Sequence, residues 1–265
     1  MKTVNCDQIS RALHELGLGK GDGVLVHSAI QYLGQPEKGV AVYWEALREA
    51  TRPEGTIAVP AFSFEFAGGK PYDPLSTPSV GMGSFTEYVR CLPGAVRTLH
   101  PMQSMAVIGK YARDIASRDT LSAFDAGSAF ERLLDLDFWV VLLGADIYSV
   151  SLVHYSEQRA TVPYRYWKEF SGQVLTRNGW QARTCRMFVR DLELNPRLDL
   201  SPVEQRLREK DEWRETPLNY GRIAIFRARA FIKATDELLE KDLWSLVVLP
   251  SQDNRNTDEQ RDEVM

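Results

Sequence analysis

Short apolar runs that stop at glycine or proline govern what this chain can fold into. They are Gly23-Val24-Leu25-Val26, Thr56-Ile57-Ala58-Val59-Pro60 and Val140-Val141-Leu142-Leu143-Gly144-Ala145. Each has the length and punctuation of a buried strand. Between them the spacing of apolar residues turns helical: Ile9, Leu13, Leu16 and Leu18 over 7–18, Val42, Ala46, Leu47 and Ala50 over 40–50, Phe130, Leu133 and Leu134 over 128–135. After Pro163 the pattern changes again. Residues 171–187 read as a hairpin turning at Asn178-Gly179. A charged helix follows over 203–214, then a strand over 222–226 and an amphipathic helix over 228–239. Strand–helix alternation closed in this way predicts an α/β fold: three layers, α/β/α, with a mixed central sheet and a hairpin-rich insertion in the C-terminal half. Residues 1–250 are expected to form one domain, and the polar stretch 251–265 a disordered tail.

Composition narrows the function classes. A net charge of −4 over 265 residues gives no reason to expect nucleic acid or an anionic membrane as partner. No apolar run is long enough to span a bilayer, and the runs around 138–145 and 243–250 read as core strands. Cys6, Cys91 and Cys185 are odd in number and far apart, with no zinc-type spacing. They argue against a disulfide framework and a metal site, and with an N-terminus that lacks an apolar signal region they predict a cytoplasmic protein.

Chemistry-bearing residues gather after the strand runs. His154 and Glu157 fall on a helix that follows the 140–145 run, and their i,i+3 spacing puts both on one face. An imidazole beside a carboxylate suits proton transfer, although an ordinary solvated helix face would show the same spacing. His27-Ser28-Ala29-Ile30 stands at the carboxyl end of the first run, where α/β proteins usually place ligands. The long loop 61–83 is expected to be functional or mobile. Ser84 with Glu87 reads as a capping box, and a helix start there could receive a phosphate. His100-Pro101 precedes a further strand.

Several of these stretches, taken in order, resemble the aminoglycoside 3-N-acetyltransferase family. They are Gly21 to Ala29, Arg52 to Pro60, Pro71-Tyr72-Asp73-Pro74, Leu92 to Pro101, Leu142-Leu143-Gly144-Ala145, His154 with Glu157, and Val162-Pro163-Tyr164. The resemblance covers roughly residues 10–165. It implies acyl transfer from acyl-coenzyme A to the amine of an amino sugar, with no metal. His154 would be the general base and Glu157 its partner. His27, Ser28 and Ala29, the Ser84 helix start, and Arg97, His100 and Ser104 would face the coenzyme. Glu65 and Asp73 would lie near the acceptor. Tyr155 and Ser156 stand where the family commonly has leucine and alanine, and Met102 and Gln103 where it has threonine and histidine.

An amino-sugar amine is mostly protonated at neutral pH, and only the free amine attacks a thioester. A neutral imidazole can take that proton. Backbone N–H groups after Ser28, or the Ser104 hydroxyl, would then hold the oxyanion. The acceptor is open between an aminoglycoside drug and a nucleotide-linked amino sugar. The latter would suit Arg177, Arg183 and Arg186, because a drug pocket wants carboxylates. Two further classes compete: a coenzyme-independent hydrolase using His154 and Glu157, with no GxSxG elbow to support it, and a non-catalytic binder of acyl-coenzyme A. A homodimer is compatible with all of these.

Overall fold

The computed structural model describes residues 2–250, so the polar tail expected over 251–265 lies outside the described residues. The buried runs form the expected mixed sheet. Its strands in chain order are β1 (Gly23–Ser28), β2 (Thr56–Pro60), β3 (Val96–Arg97), β4 (Met105–Gly109) and β5 (Trp139–Leu143). After a long hairpin, β6 (Arg165–Thr176) and β7 (Gly179–Arg190), the chain returns to the sheet with β8 (Arg214–Leu218) and β9 (Gly221–Arg227). The seven strands are ordered β8-β9-β5-β1-β2-β4-β3. The three central strands, β5, β1 and β2, run parallel, and all other pairings are antiparallel.

Helices cover both faces because both faces are apolar. On one side Leu25, Ala58, Val140, Leu142 and Phe226 meet Phe130 of α4 (Ala129–Asp135) and Phe231 of α7 (Ala228–Leu239). On the other, Val24, Val26, Ile57, Val59, Val141 and Ile225 meet Ile9 and Leu13 of α1 (Cys6–Glu15), Leu47 of α2 (Ala41–Thr51) and Phe85 of α3 (Gly83–Arg90). Alternate residues of each strand serve opposite layers, as the pleat requires. Burying each large aliphatic side chain contributes roughly 1.5–3 kcal/mol.

The β6–β7 hairpin forms a sheet of its own. Its anchor is the long loop 61–83. Tyr72 donates its N–H to Gln173 O and accepts from Leu175 N, both at 2.8 Å. The Tyr72 ring packs with Phe66, Met102, Val174 and Cys185, and its hydroxyl donates to Thr98 O. Phe66 itself lies in a short 3-10 helix, Phe64–Gly68, that interrupts the loop.

Three expectations change. The 243–250 run yields only a two-residue strand, Val247–Val248, paired with Arg197–Leu198 away from the main sheet, with buried Leu246 accepting from Asp199 N beside that pairing. The charged helix, α6, spans Ser201–Glu209 and stops before Asp211, whose φ is 56°, so that Arg214–Leu218 can serve as an edge strand. That strand carries Pro217, which only an edge tolerates. The capping box at Ser84 does not form. Met82 holds the cap position of α3, and Glu87 instead pairs with Arg90 and accepts from Ser79.

Gly144, directly after β5, has φ of 71°, and a Cβ there would come within 2.6 Å of Ala29 O. Gly144→Ala should therefore destabilise the fold by roughly 1–3 kcal/mol. A drop of the urea midpoint checks this, and an unchanged midpoint would refute the geometry.

Candidate active site

The carboxyl ends of β1 and β5 lie side by side, so the segments leaving them flank one space. From β5 the chain turns at Gly144, makes one 3-10 turn over Ile147–Ser149, and enters α5 (Val153–Ala160). His154 stands in the first turn of that helix. Its Nδ1 lies 2.6 Å from Glu157 Oε2, and the Phe124 ring meets the imidazole edge-on at 5.8 Å between centroids. A ring that donates from Nδ1 keeps its lone pair on Nε2. His154 is 29% exposed, whereas Glu157 is fully buried.

A buried carboxylate needs compensation. Arg165, the first residue of β6, brings its Nε to 2.9 Å from Glu157 Oε2. Burial alone would raise the Glu157 pKa, but the His154 hydrogen bond and the charges of His154 and Arg165 outweigh it and hold the group below its ordinary value. The nearby Tyr164 hydroxyl is pushed upward, first by burial and then by the charge of Glu157. Glu157 is thus an anion fixed between an imidazole and a guanidinium.

His154 opens on a cavity of about 1140 Å³. One wall is β1 with His27 and Ser28, and another is the start of α3 with Met82, Gly83 and Thr86. The hairpin supplies Arg165, Lys168, Phe170, Met187 and Arg190 to the lining. His27 is buried and its pKa falls to about 3 for that reason, so it presents a neutral imidazole.

The other expected residues scatter. Ala29 lies on an adjoining groove and its N–H is already given to Leu143 O. Ser84 is exposed and is not on the cavity wall, although its neighbour Gly83 is. Arg97 is buried behind the wall, where it donates to the carbonyls of Thr77 and Ala61 and to the Ser104 hydroxyl. Ser104 donates to Ala61 O, so neither it nor the Ala29 N–H is free to hold an oxyanion. His100 is also buried, accepts from Gln103 N, and has a pKa lowered to about 4 by burial. Glu65 pairs with Lys70, and Asp73 caps its own turn through Leu75 N and Ser76 Oγ. Arg183 and Arg186 are taken by Asp119 and Asp125.

Arg165, Lys168, Arg190 and Phe124 line the cavity without having been expected there, and Gln103, from the stretch 97–104 that the resemblance turns toward the coenzyme, lines it too. No local pattern marks the first three, because only the fold of the hairpin over the sheet brings them in. Among the described residues no group of three or more His, Cys, Asp or Glu is placed to hold a metal ion. No helix there is long and apolar enough to cross a membrane.

Comparison with known proteins bears on the family and the fold. The family model for aminoglycoside 3-N-acetyltransferases matches residues 25–240. The chain belongs to the aminoglycoside 3-N-acetyltransferase family. One curated relative, aminoglycoside N(3)-acetyltransferase III from Salmonella, is 31% identical over 189 residues, which are 64% of this chain and 66% of that enzyme, just short of two thirds of its length. Among solved structures, AAC-IIIb in a binary complex with CoASH superposes with a TM-score of 0.80 at 22% identity, covering 91% of this chain and 97% of the other. A mutant of aminoglycoside acetyltransferase AAC(3)-IVa in complex with a gentamicin gives a TM-score of 0.79 at 24% identity, with coverages of 96% and 95%. At these identities the structures establish the acetyltransferase-family fold.

Because the folded-state pKa of Glu157 lies below its unfolded value of about 4.3, its ionisation contributes stability that is present above that value. This contribution is lost as the pH falls through the folded-state pKa. Urea unfolding between about pH 3 and 7 should show the acid-side decline, and Glu157→Gln should flatten it. An identical slope in the variant would show that Glu157 is not held ionised.

Proposed function

We propose that this chain transfers an acyl group, acetyl in the simplest case, from acyl-coenzyme A to the primary amine of an amino sugar. The observation that carries the reading is the His154–Glu157–Arg165 array opening on one cavity large enough for a thioester and an acceptor. Family membership supplies the reaction class, and the complexes of AAC-IIIb with CoASH and of AAC(3)-IVa with a gentamicin support the coenzyme and the amino-sugar acceptor.

In this reading the acceptor gives its ammonium proton to solvent and binds as the free amine, and His154 Nε2 removes a second proton from the nitrogen as it attacks. The nitrogen lone pair forms the new N–C bond at the thioester carbonyl. The tetrahedral oxyanion collapses, the C–S bond breaks, and the coenzyme leaves as a thiolate that recovers a proton from the imidazolium. Glu157, ionised and pinned by Arg165, fixes the ring tautomer and stabilises the imidazolium. With the Ala29 N–H and Ser104 committed elsewhere, the oxyanion donors fall to side chains on the wall, Ser28 and Gln103. His27, neutral at working pH, adds no charge beside the thioester.

His154→Ala should lower kcat by about 10²–10⁴ while acetyl-coenzyme A still binds. Thiol release measured with amine acceptors, together with calorimetric titration of the coenzyme, checks both halves. Full turnover in the variant would overturn the assignment of the base.

A further inference from the structure

The charge on the cavity wall has the wrong sign for a polycation. Among the described residues that line it there is no aspartate or glutamate, whereas Arg165, Lys168 and Arg190 all belong to it. Glu65 and Asp73, the carboxylates expected near the acceptor, are off the wall and bound within their own turns. The adjoining groove holds Asp146 and Glu215, but Glu215 is already engaged by Arg208 and Arg222.

The three cations are arranged, not scattered. Arg165 and Arg190 are direct cross-strand partners at the open end of the hairpin. Like charges in that register repel. Glu157 balances Arg165 alone. Among the described residues the Arg190 side chain meets the Pro196 carbonyl, at 3.5 Å, and Lys168 the Phe170 ring, at 5.5 Å. Neither makes an ion pair with a described residue. The hairpin therefore presents surplus positive charge to the cavity.

Coenzyme phosphates are the obvious alternative target for it. The thioester carbonyl, however, has to reach His154, and the phosphates of a coenzyme A lie at the far end of the pantetheine arm. Arg165 touches the carboxylate that touches His154, and Arg190 is one strand spacing away. Arg190, placed beside the base in this way, faces the acceptor.

From this juxtaposition, and resting on the transferase reading above, we infer that the acceptor is a phosphate-bearing amine, an amino-sugar phosphate or its nucleotide-linked form, whose phosphate is met by Arg190, with Lys168 adding positive charge from the other face of the ribbon. Exposed guanidinium and ammonium groups on the cavity wall suit phosphate oxygens through charge-assisted hydrogen bonds. The same wall repels a multiply protonated aminoglycoside.

The test uses the full chain saturated with coenzyme A and titrated calorimetrically with glucosamine, glucosamine 6-phosphate and gentamicin. Thiol release from acetyl-coenzyme A is followed with the same three acceptors. The phosphate ester should bind and react better than glucosamine by about tenfold or more, with gentamicin weakest. Arg190→Gln with Lys168→Gln should erase the advantage of the phosphate ester and leave coenzyme affinity unchanged. Gentamicin equal to or better than the phosphate ester overturns the inference while leaving the transferase reading in place. So does a double variant that weakens coenzyme binding and keeps the acceptor ranking, because the cations would then serve the coenzyme. Failure of the wild-type chain to bind any coenzyme A overturns the transferase reading, and this inference with it.

Discussion

A single buried carboxylate ties the site together. Glu157 has no access to solvent, so its charge stays ionised only through the groups around it. One is on its own helix, His154, and the other, Arg165, opens a hairpin that never pairs with the main sheet. The ion pair therefore couples the site to the architecture: His154 on the same helix and, to a lesser degree, Arg165 of the hairpin keep the carboxylate an anion, and the anion fixes the imidazole by Nδ1.

The rest of the scaffold positions this triad. Parallel pairing of β1 with β5 aligns Ser28 with Leu143, so both chains leave the sheet at one edge. Gly144, with its positive φ, turns the chain closely past Ala29 and sends it into the helix that carries His154. Phe124, from the loop before α4, closes on the imidazole from the side. Tyr72 joins the opposite loop to the hairpin by two backbone hydrogen bonds. Together these devices hold His154, Glu157 and Arg165 around one cavity.

The sheet and its helices were legible because their signals are local and strong. Uninterrupted runs such as Val140–Leu143 have few other uses, and the helical spacing in Ala228–Leu239 leaves one solution. His154 with Glu157 was legible as a pair because i,i+3 contacts are written in sequence. Arg165 was not, since its partner lies on the preceding helix across a chain reversal, and nothing in Tyr164-Arg165-Tyr166 announces it. Arg97 and His100 misled for the opposite reason. They sit in a stretch that resembles a functional one, yet burial commits Arg97 to backbone carbonyls and deprives His100 of charge. Edge strand β8 was hidden by Pro217 and by its charged residues, which suit an edge but resemble a loop.

The separateness of the hairpin has a consequence for how such a protein can change over time. His154, which we propose as the base, and its helix are rooted beside the main sheet, where a substitution disturbs layered packing. Lys168 and Arg190 are rooted in a two-stranded ribbon tied on through Tyr72 and Glu157. Exchanging charges along that ribbon leaves the layered core untouched, so the choice of acceptor can drift while the chemistry stays fixed. The fold thus divides its inheritance into a constant engine and a replaceable grip.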